Sequence, residues 1–185
     1  MNASHAAAVG GCLLISTLAG AAEPEESQQV VVTATRASEG VRADLLGGSF
    51  TILSPKTLEE RQTRVISDVL RDVPGVSVSR SGGVGGQTSV RIRGAEGNHT
   101  LVLIDCIEAS DPFYGSFDFA TLIADDIARV EVLRGQQSAL YGSEAIGGVI
   151  NYITLSGREA PGVRTRIEGG SFGTVDLSAR AAGVV

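Results

Sequence analysis

The sequence predicts an α+β fold: a small mixed β-sheet with short helices packed on it, followed by one amphipathic β-hairpin. Three observations predict it. Val130-Glu131-Val132-Leu133-Arg134-Gly135 reads as a strand with a glycine stop, Ser138-Ala139-Leu140-Tyr141-Gly142-Ser143 as a one-turn helix, and Ala145-Ile146-Gly147-Gly148-Val149-Ile150-Asn151 as a glycine-rich turn entering a second strand. Leu101-Val102-Leu103-Ile104 is continuously apolar, the pattern of a strand buried on both faces. Residues 162–180 alternate apolar and polar side chains on either side of Gly169-Gly170-Ser171-Phe172-Gly173, which is a hairpin pattern.

The 185 residues have room for one domain and a fragment of a second. The net charge of -6 offers no basic stripe for a nucleic-acid partner. The 24 glycines favour turns and close backbone approach. Residues 1–22 read as a secretory signal peptide. The run 6–22 is uncharged, Leu13-Leu14-Ile15 is its apolar centre, and Ala19-Gly20-Ala21 has the small-x-small pattern of a cleavage site, although no Lys or Arg precedes it. Cleavage there removes Cys12 and leaves Cys106 alone, so neither an internal disulfide nor a cysteine-based zinc site is expected. No metal and no cofactor is expected.

Residues 23–29 are polar and acidic, an expected flexible leader. Val30-Val31-Val32-Thr33 is β-prone, and periodicity alone reads it as a first core strand. Ser54-Pro55 opens a helix, with Ser as N-cap and Pro at the first position. A second helix is expected over 65–72, where Val65, Ile66, Val69, Leu70 and Val73 share one face and Pro74-Gly75 ends it. Strands are expected at 76–80 and 90–93, separated by the loop Ser81-Gly82-Gly83-Val84-Gly85-Gly86. Asp105-Cys106 marks a turn, residues 111–119 a long aromatic loop, and Asp125-Asp126 a helix start.

Enzyme chemistry is the weaker class. The glycine loop lacks the Gly-Lys-Ser/Thr ending of a phosphate loop. It also lacks the spacing and strand-to-helix setting of a dinucleotide fingerprint. Gly170-Ser171-Phe172-Gly173 is one residue short of a nucleophile elbow. His99, the only histidine after cleavage, has no neighbour that would make it a base.

The ordered set resembles the plug domain of TonB-dependent outer-membrane receptors. The pieces are the signal peptide; Gln29-Val30-Val31-Val32-Thr33-Ala34; Asp68-Val69-Leu70-Arg71-Asp72-Val73-Pro74-Gly75-Val76; Val90-Arg91-Ile92-Arg93-Gly94; Leu101-Val102-Leu103-Ile104-Asp105; and the stretch 130–151. Its residues 138–143 and the helix ending at Pro74 look most like cobalamin receptors. Siderophore receptors share much of the pattern.

The resemblance implies an organisation: signal peptide 1–22, flexible N-terminus with a "TonB box" 23–35, plug 36–157, and 158–185 as the first hairpin of a transmembrane β-barrel that this chain otherwise lacks. It implies no enzyme. It implies a plug that gates a barrel in the outer membrane and couples to TonB during uptake of cobalamin or another large nutrient. Val30, Val31, Val32, Thr33 and Ala34 would bind the TonB C-terminal domain by adding a strand to a sheet edge. Arg93 and Arg134 would meet carboxylates on the wall of the chain's own or a separate barrel. Ser81, Gly82, Gly83, Gly85, Asp111, Phe113 and Tyr114 would contact an extracellular cobalamin or iron-siderophore. The chain departs from the family pattern at Cys106, where Gly is usual in a turn of positive φ, and at Gln136, where Pro is usual. Two other readings are a non-transporting truncated or separately encoded plug, periplasmic if no barrel accompanies it, and a periplasmic ligand-binding domain.

Overall fold

The computed structural model describes residues 31–32, 41–42, 48–62 and 64–183. The expected signal peptide and acidic leader lie outside the described residues, as do Val30, Thr33 and Ala34. In chain order the elements are β1 (Val31–Val32), β2 (Val41–Arg42), β3 (Ser49–Leu53), α1 (Pro55–Glu60), α2 (Ile66–Leu70), β4 (Val76–Arg80), β5 (Thr88–Ile92), β6 (Thr100–Ile104), β7 (Ile107–Glu108), β8 (Ile127–Arg134), α3 (Ser138–Tyr141), β9 (Gly148–Thr154), β10 (Gly162–Gly169) and β11 (Val175–Ala182).

Five strands form the central sheet in the order β3-β8-β9-β6-β7. Only β6 and β9 run parallel, so the sheet is mixed. The chain passes from β6 to β9 by way of β8 because a parallel pair needs a long crossover. Both faces of the sheet are covered. On one, Val130, Val132, Ile150, Tyr152 and Val102 pack with Ile66, Val69 and Leu70 of α2 and with Val90 and Ile92 of β5. On the other, Leu101, Leu103, Leu133 and Val149 pack around Ala145. This double burial explains the unbroken apolar run 101–104 in β6. Each fully buried Ile or Leu contributes about 1.5–3 kcal/mol.

Local rules place the helices. The Ser54 hydroxyl accepts from Thr57 N at 3.2 Å, capping α1. In α2 the apolar stripe is buried while Asp68 is exposed, and the chain leaves through Gly75 at φ 77°. The β6–β7 turn holds Asp105 at φ 50° and Cys106 at φ 66°. Asp105 fastens it, its carboxylate accepting from Thr154 N at 2.8 Å and Thr154 Oγ1 at 2.7 Å. Cys106 at that φ carries the strain that its side chain implies, of order 1 kcal/mol.

Two expectations fail. No helix starts at Asp125-Asp126; these residues form the turn before β8, with Asp126 at φ 58°. No apolar helical stripe follows them, and β8 begins at once with Ile127. The strand expected over 90–93 starts earlier, at Thr88, and stops at Ile92. Arg93 has turned out of it, at φ 54°, donating its backbone N–H to Gly75 O at 2.7 Å.

The expected hairpin forms, with β10 and β11 antiparallel from Gly162↔Ala182 to Gly169↔Val175. Its orientation is inverted relative to a soluble sheet. Val163, Ile167, Val175 and Leu177 are 70–78% exposed. Arg166, Glu168, Asp176, Ser178, Arg180 and Ala182 are the half-buried residues, and Arg166, Glu168, Ser178 and Arg180 among them line the seam with α1 and the 124–127 turn. No helix among the described residues is long and apolar enough to cross a membrane, which says nothing of a β-barrel.

Candidate functional site

Period-two alternation builds one wall of an open groove. In β5, Thr88, Val90 and Ile92 are buried, which turns Ser89 and Arg91 to the other face beside Gln87. Glu96, Gly97 and Asn98 supply the floor, and Tyr114 with Ser116 the opposite wall. The groove measures about 620 Å³. It is polar, with amide, hydroxyl and phenol groups, one arginine and one glutamate.

The loop bearing Tyr114 is organised by Asp111. Its Oδ1 accepts from Phe113 N and Tyr114 N, both at 2.8 Å, and its carbonyl accepts from Gly115 N at 2.7 Å. This side-chain turn props up Phe113 and Tyr114, which are 85% and 71% exposed and stack edge to face with centroids 4.9 Å apart. Asp111 therefore builds the loop through its Oδ1.

Glu144 closes on this loop from the turn after α3, with Oε1 3.3 Å from where a Gly115 Cβ would stand. Burial raises its pKa, and the neighbouring Glu108 carboxyl raises it further through a shared hydrogen bond and like charge. A carboxyl whose folded pKa is raised adds stability below its unfolded pKa, and that contribution is lost as pH rises through the folded value. Glu144→Gln is accordingly expected to raise the melting temperature at pH 7 by about 2 °C and to change nothing at pH 4. Equal shifts at both pH values in thermal scans would refute the assignment.

The other sequence-predicted residues separate. Ser81, Gly82, Gly83 and Gly85 lie in the β4–β5 loop, whose mouth is closed by Ser81 N donating to Gln87 O at 2.9 Å, and none of the four lines the groove. Gly86 is the glycine this loop requires, since a Cβ there would lie 2.0 Å from Ser81 O. Gln87 ends the expected ligand loop 81–87, whereas Ser89, Arg91 and Asn98 lie outside the residues expected from sequence, although alternation through β5 puts Ser89 and Arg91 on one face with Gln87.

The two arginines also differ. The Arg93 side chain is exposed and makes no hydrogen bond or ion pair among the described residues. Its Nη1 lies 3.0 Å from where a Gly135 Cβ would be, so glycine leaves room for the guanidinium. Arg134 is engaged within the chain, Nη1 donating to Pro74 O at 2.7 Å and Nη2 to Phe50 O and Thr51 Oγ1, each at 3.1 Å. Of the expected coupling segment, Val31 and Val32 are described; they pair antiparallel with Arg42 and Val41. No group of three or more His, Cys, Asp or Glu residues suited to a metal occurs among the described residues.

Comparison with known proteins places this geometry. A family profile described as "TonB-dependent Receptor Plug Domain" matches residues 44–149. The chain is 40% identical over 151 residues to the "Vitamin B12 transporter BtuB" of Vibrio vulnificus (strain CMCP6), covering 82% of this chain and 24% of that protein. With the corresponding protein of Photobacterium profundum it is 35% identical over 163 residues, covering 88% of this chain and 26% of that protein. The chain thus spans about a quarter of the length of the curated relatives it matches. Among solved structures, the ferric yersiniabactin uptake receptor FyuA of Yersinia pestis superposes with a TM-score of 0.51 at 26% identity, over 70% of this chain and 20% of that one. The ferripyoverdine receptor of the outer membrane of Pseudomonas aeruginosa shares the fold, with a TM-score of 0.67 at 22% identity over 87% of this chain and 21% of that one. The match runs from just before β3 through β8 and into the start of β9, and the chain belongs to the plug-domain family of TonB-dependent receptors.

Proposed function

We propose that this chain is the plug portion of a TonB-dependent outer-membrane transporter for cobalamin or a similarly large nutrient. The plug blocks a barrel, its own or a separate one, and couples it to TonB. The observation that carries this reading is the inverted hairpin. Apolar side chains of β10 and β11 point away from the plug and charged ones toward it. That is the apolar-out, polar-in alternation of a wall in lipid around a polar lumen.

The N-terminal segment 30–34 is the coupling handle. A β-branched stretch pairs through main-chain bonds, so a short one suffices for the TonB C-terminal domain to add a strand. Arg93 reaches a wall carboxylate, because a guanidinium with no internal partner suits a bidentate one. Cargo meets the groove and the loop carrying Phe113 and Tyr114. Arg91 is the one cation lining the groove among the described residues, Glu96 lines it too, and Asp111 and Glu144, the latter beside Glu108, stand at the aromatic loop. This balance favours an uncharged, amide-bearing cargo such as cobalamin over a polyanionic iron chelate. The plug itself does no covalent chemistry.

Val31→Pro tests the coupling. Proline removes an N–H and resists strand pairing. In a receptor carrying this plug, uptake of labelled cyanocobalamin is expected to fall at least tenfold while binding to whole cells is retained. Equal loss of binding and uptake would mean that the segment is a core strand and not a handle.

A further inference from the structure

The hairpin opposes like charges across its own ladder. Arg164 faces Arg180, and Glu168 faces Asp176. Like charges directly opposite destabilise a strand pair, and a two-stranded hairpin is marginal in water even without them. Nor is its apolar face covered among the described residues, where Val163, Ile167, Val175 and Leu177 stand exposed.

The missing counter-charges stand on the plug. Arg164 reaches Glu59 of α1 at 3.3 Å. Arg180 reaches Asp126 at 3.1 Å, and Arg166 reaches Asp125 at 2.8 Å. Arg64, just before α2, meets Glu168 at 2.5 Å. Asp176, the fourth member of the repelling pairs, is 3.8 Å from Arg166. Each self-repelling pair thus gains opposite charge from outside itself, and most of that charge comes from the plug. The seam between the two encloses about 360 Å³. These ions line it together with Leu58, Ile127 and Leu155, so the charges that match across it stand beside apolar residues of the plug.

We propose that the plug is the template on which the first wall hairpin forms: Glu59, Arg64, Asp125 and Asp126 neutralise a charge pattern that opposes hairpin formation in their absence. The role is distinct from cargo binding and from coupling. It needs neither, and it is testable in this chain alone.

The test is hydrogen–deuterium exchange on the full chain in micelles of an uncharged detergent, comparing wild type with Arg180→Glu. That substitution turns the repelling cross-strand pair with Arg164 into an attractive one, and at the same time sets a carboxylate against Asp126. A self-standing hairpin would gain protection. A templated hairpin loses it, and amide protection across β10 and β11 is expected to fall at least fivefold with β8 and β9 unchanged. Asp126→Asn, which suits the φ of 58° at that position, is expected to lower hairpin protection in the same direction. Unchanged or increased hairpin protection in either variant overturns the proposal. So does a matching loss in β8 and β9, because the seam would then be inseparable from the core.

Discussion

Gly148→Ala is expected to cost about 3–5 kcal/mol, the sum of overpacking against backbone and of a disfavoured φ. Gly148 opens β9 at φ 155°, and a Cβ there would lie 2.2 Å from Leu133 O and 2.9 Å from Ile92 Cδ1. The nearer clash is with a carbonyl inside the β8–β9 ladder, where Leu133 pairs with Val149 and Arg134 with Gly148. No rotamer change relieves it. Only a shift of the central strand pair does, and that pair holds the core on both faces of the sheet. Typical domain stability is about 5–15 kcal/mol, so the loss removes a large share of it, and at the lower end of that range leaves a large unfolded fraction at 37 °C. Gly83→Ala is the control. It has no atom within 4 Å of its Cβ position and no positive φ, and it is expected to stay within about 0.5 kcal/mol of wild type. Urea unfolding followed by circular dichroism measures both. A Gly148→Ala midpoint within experimental error of Gly83→Ala would remove the argument.

That glycine was legible as part of a motif, but its reason was not. The strand-turn-helix-turn-strand reading of 130–151 follows from local patterning, and β8, α3 and β9 fall where it puts them. The α2 stripe is equally local: Ile66, Val69 and Leu70 recur at helical spacing and are 0–1% exposed. Partners distant in sequence were illegible. Asp125 and Asp126 look like helix N-terminal acids in a local window, yet their arginines lie at 166 and 180. Glu131 sits inside an apolar run and is fully buried, with Arg129 Nε at 2.8 Å. The i, i+2 spacing places both on one strand face, a signal that passes unnoticed when the run is scanned for apolarity alone. Alternation found the hairpin and its two faces, but it could not say which face meets the plug. That depends on charges in α1 and the 124–127 turn.

The two arginines show the same limit, and they separate in experiment. Ile92-Arg93-Gly94 and Leu133-Arg134-Gly135 are locally indistinguishable, each an arginine between an apolar residue and a glycine. Arg134→Ala is expected to cost the isolated chain about 2–3 kcal/mol, since charge-assisted bonds of about 1.5–3 kcal/mol are discounted here for partial exposure. Its guanidinium joins the end of β8 to Pro74 O, beyond α2, and to Phe50 O and Thr51 Oγ1 in β3. Removing it unties three segments and leaves two backbone carbonyls without that donor. Arg93→Ala deletes no side-chain hydrogen bond or ion pair among the described residues and is expected to stay within about 0.5 kcal/mol. On the proposed function the order reverses in kind in an intact receptor: Arg93→Ala is expected to loosen the plug from the wall without weakening its fold, and Arg134→Ala to weaken the plug itself. Urea midpoints of the two variants decide the first half. If Arg93→Ala destabilises the chain as much as Arg134→Ala, then Arg93 has an internal partner, and its reservation for a wall carboxylate fails. If neither does, the Arg134 bonds contribute no more than the water they replace, and both arginines are left to the wall.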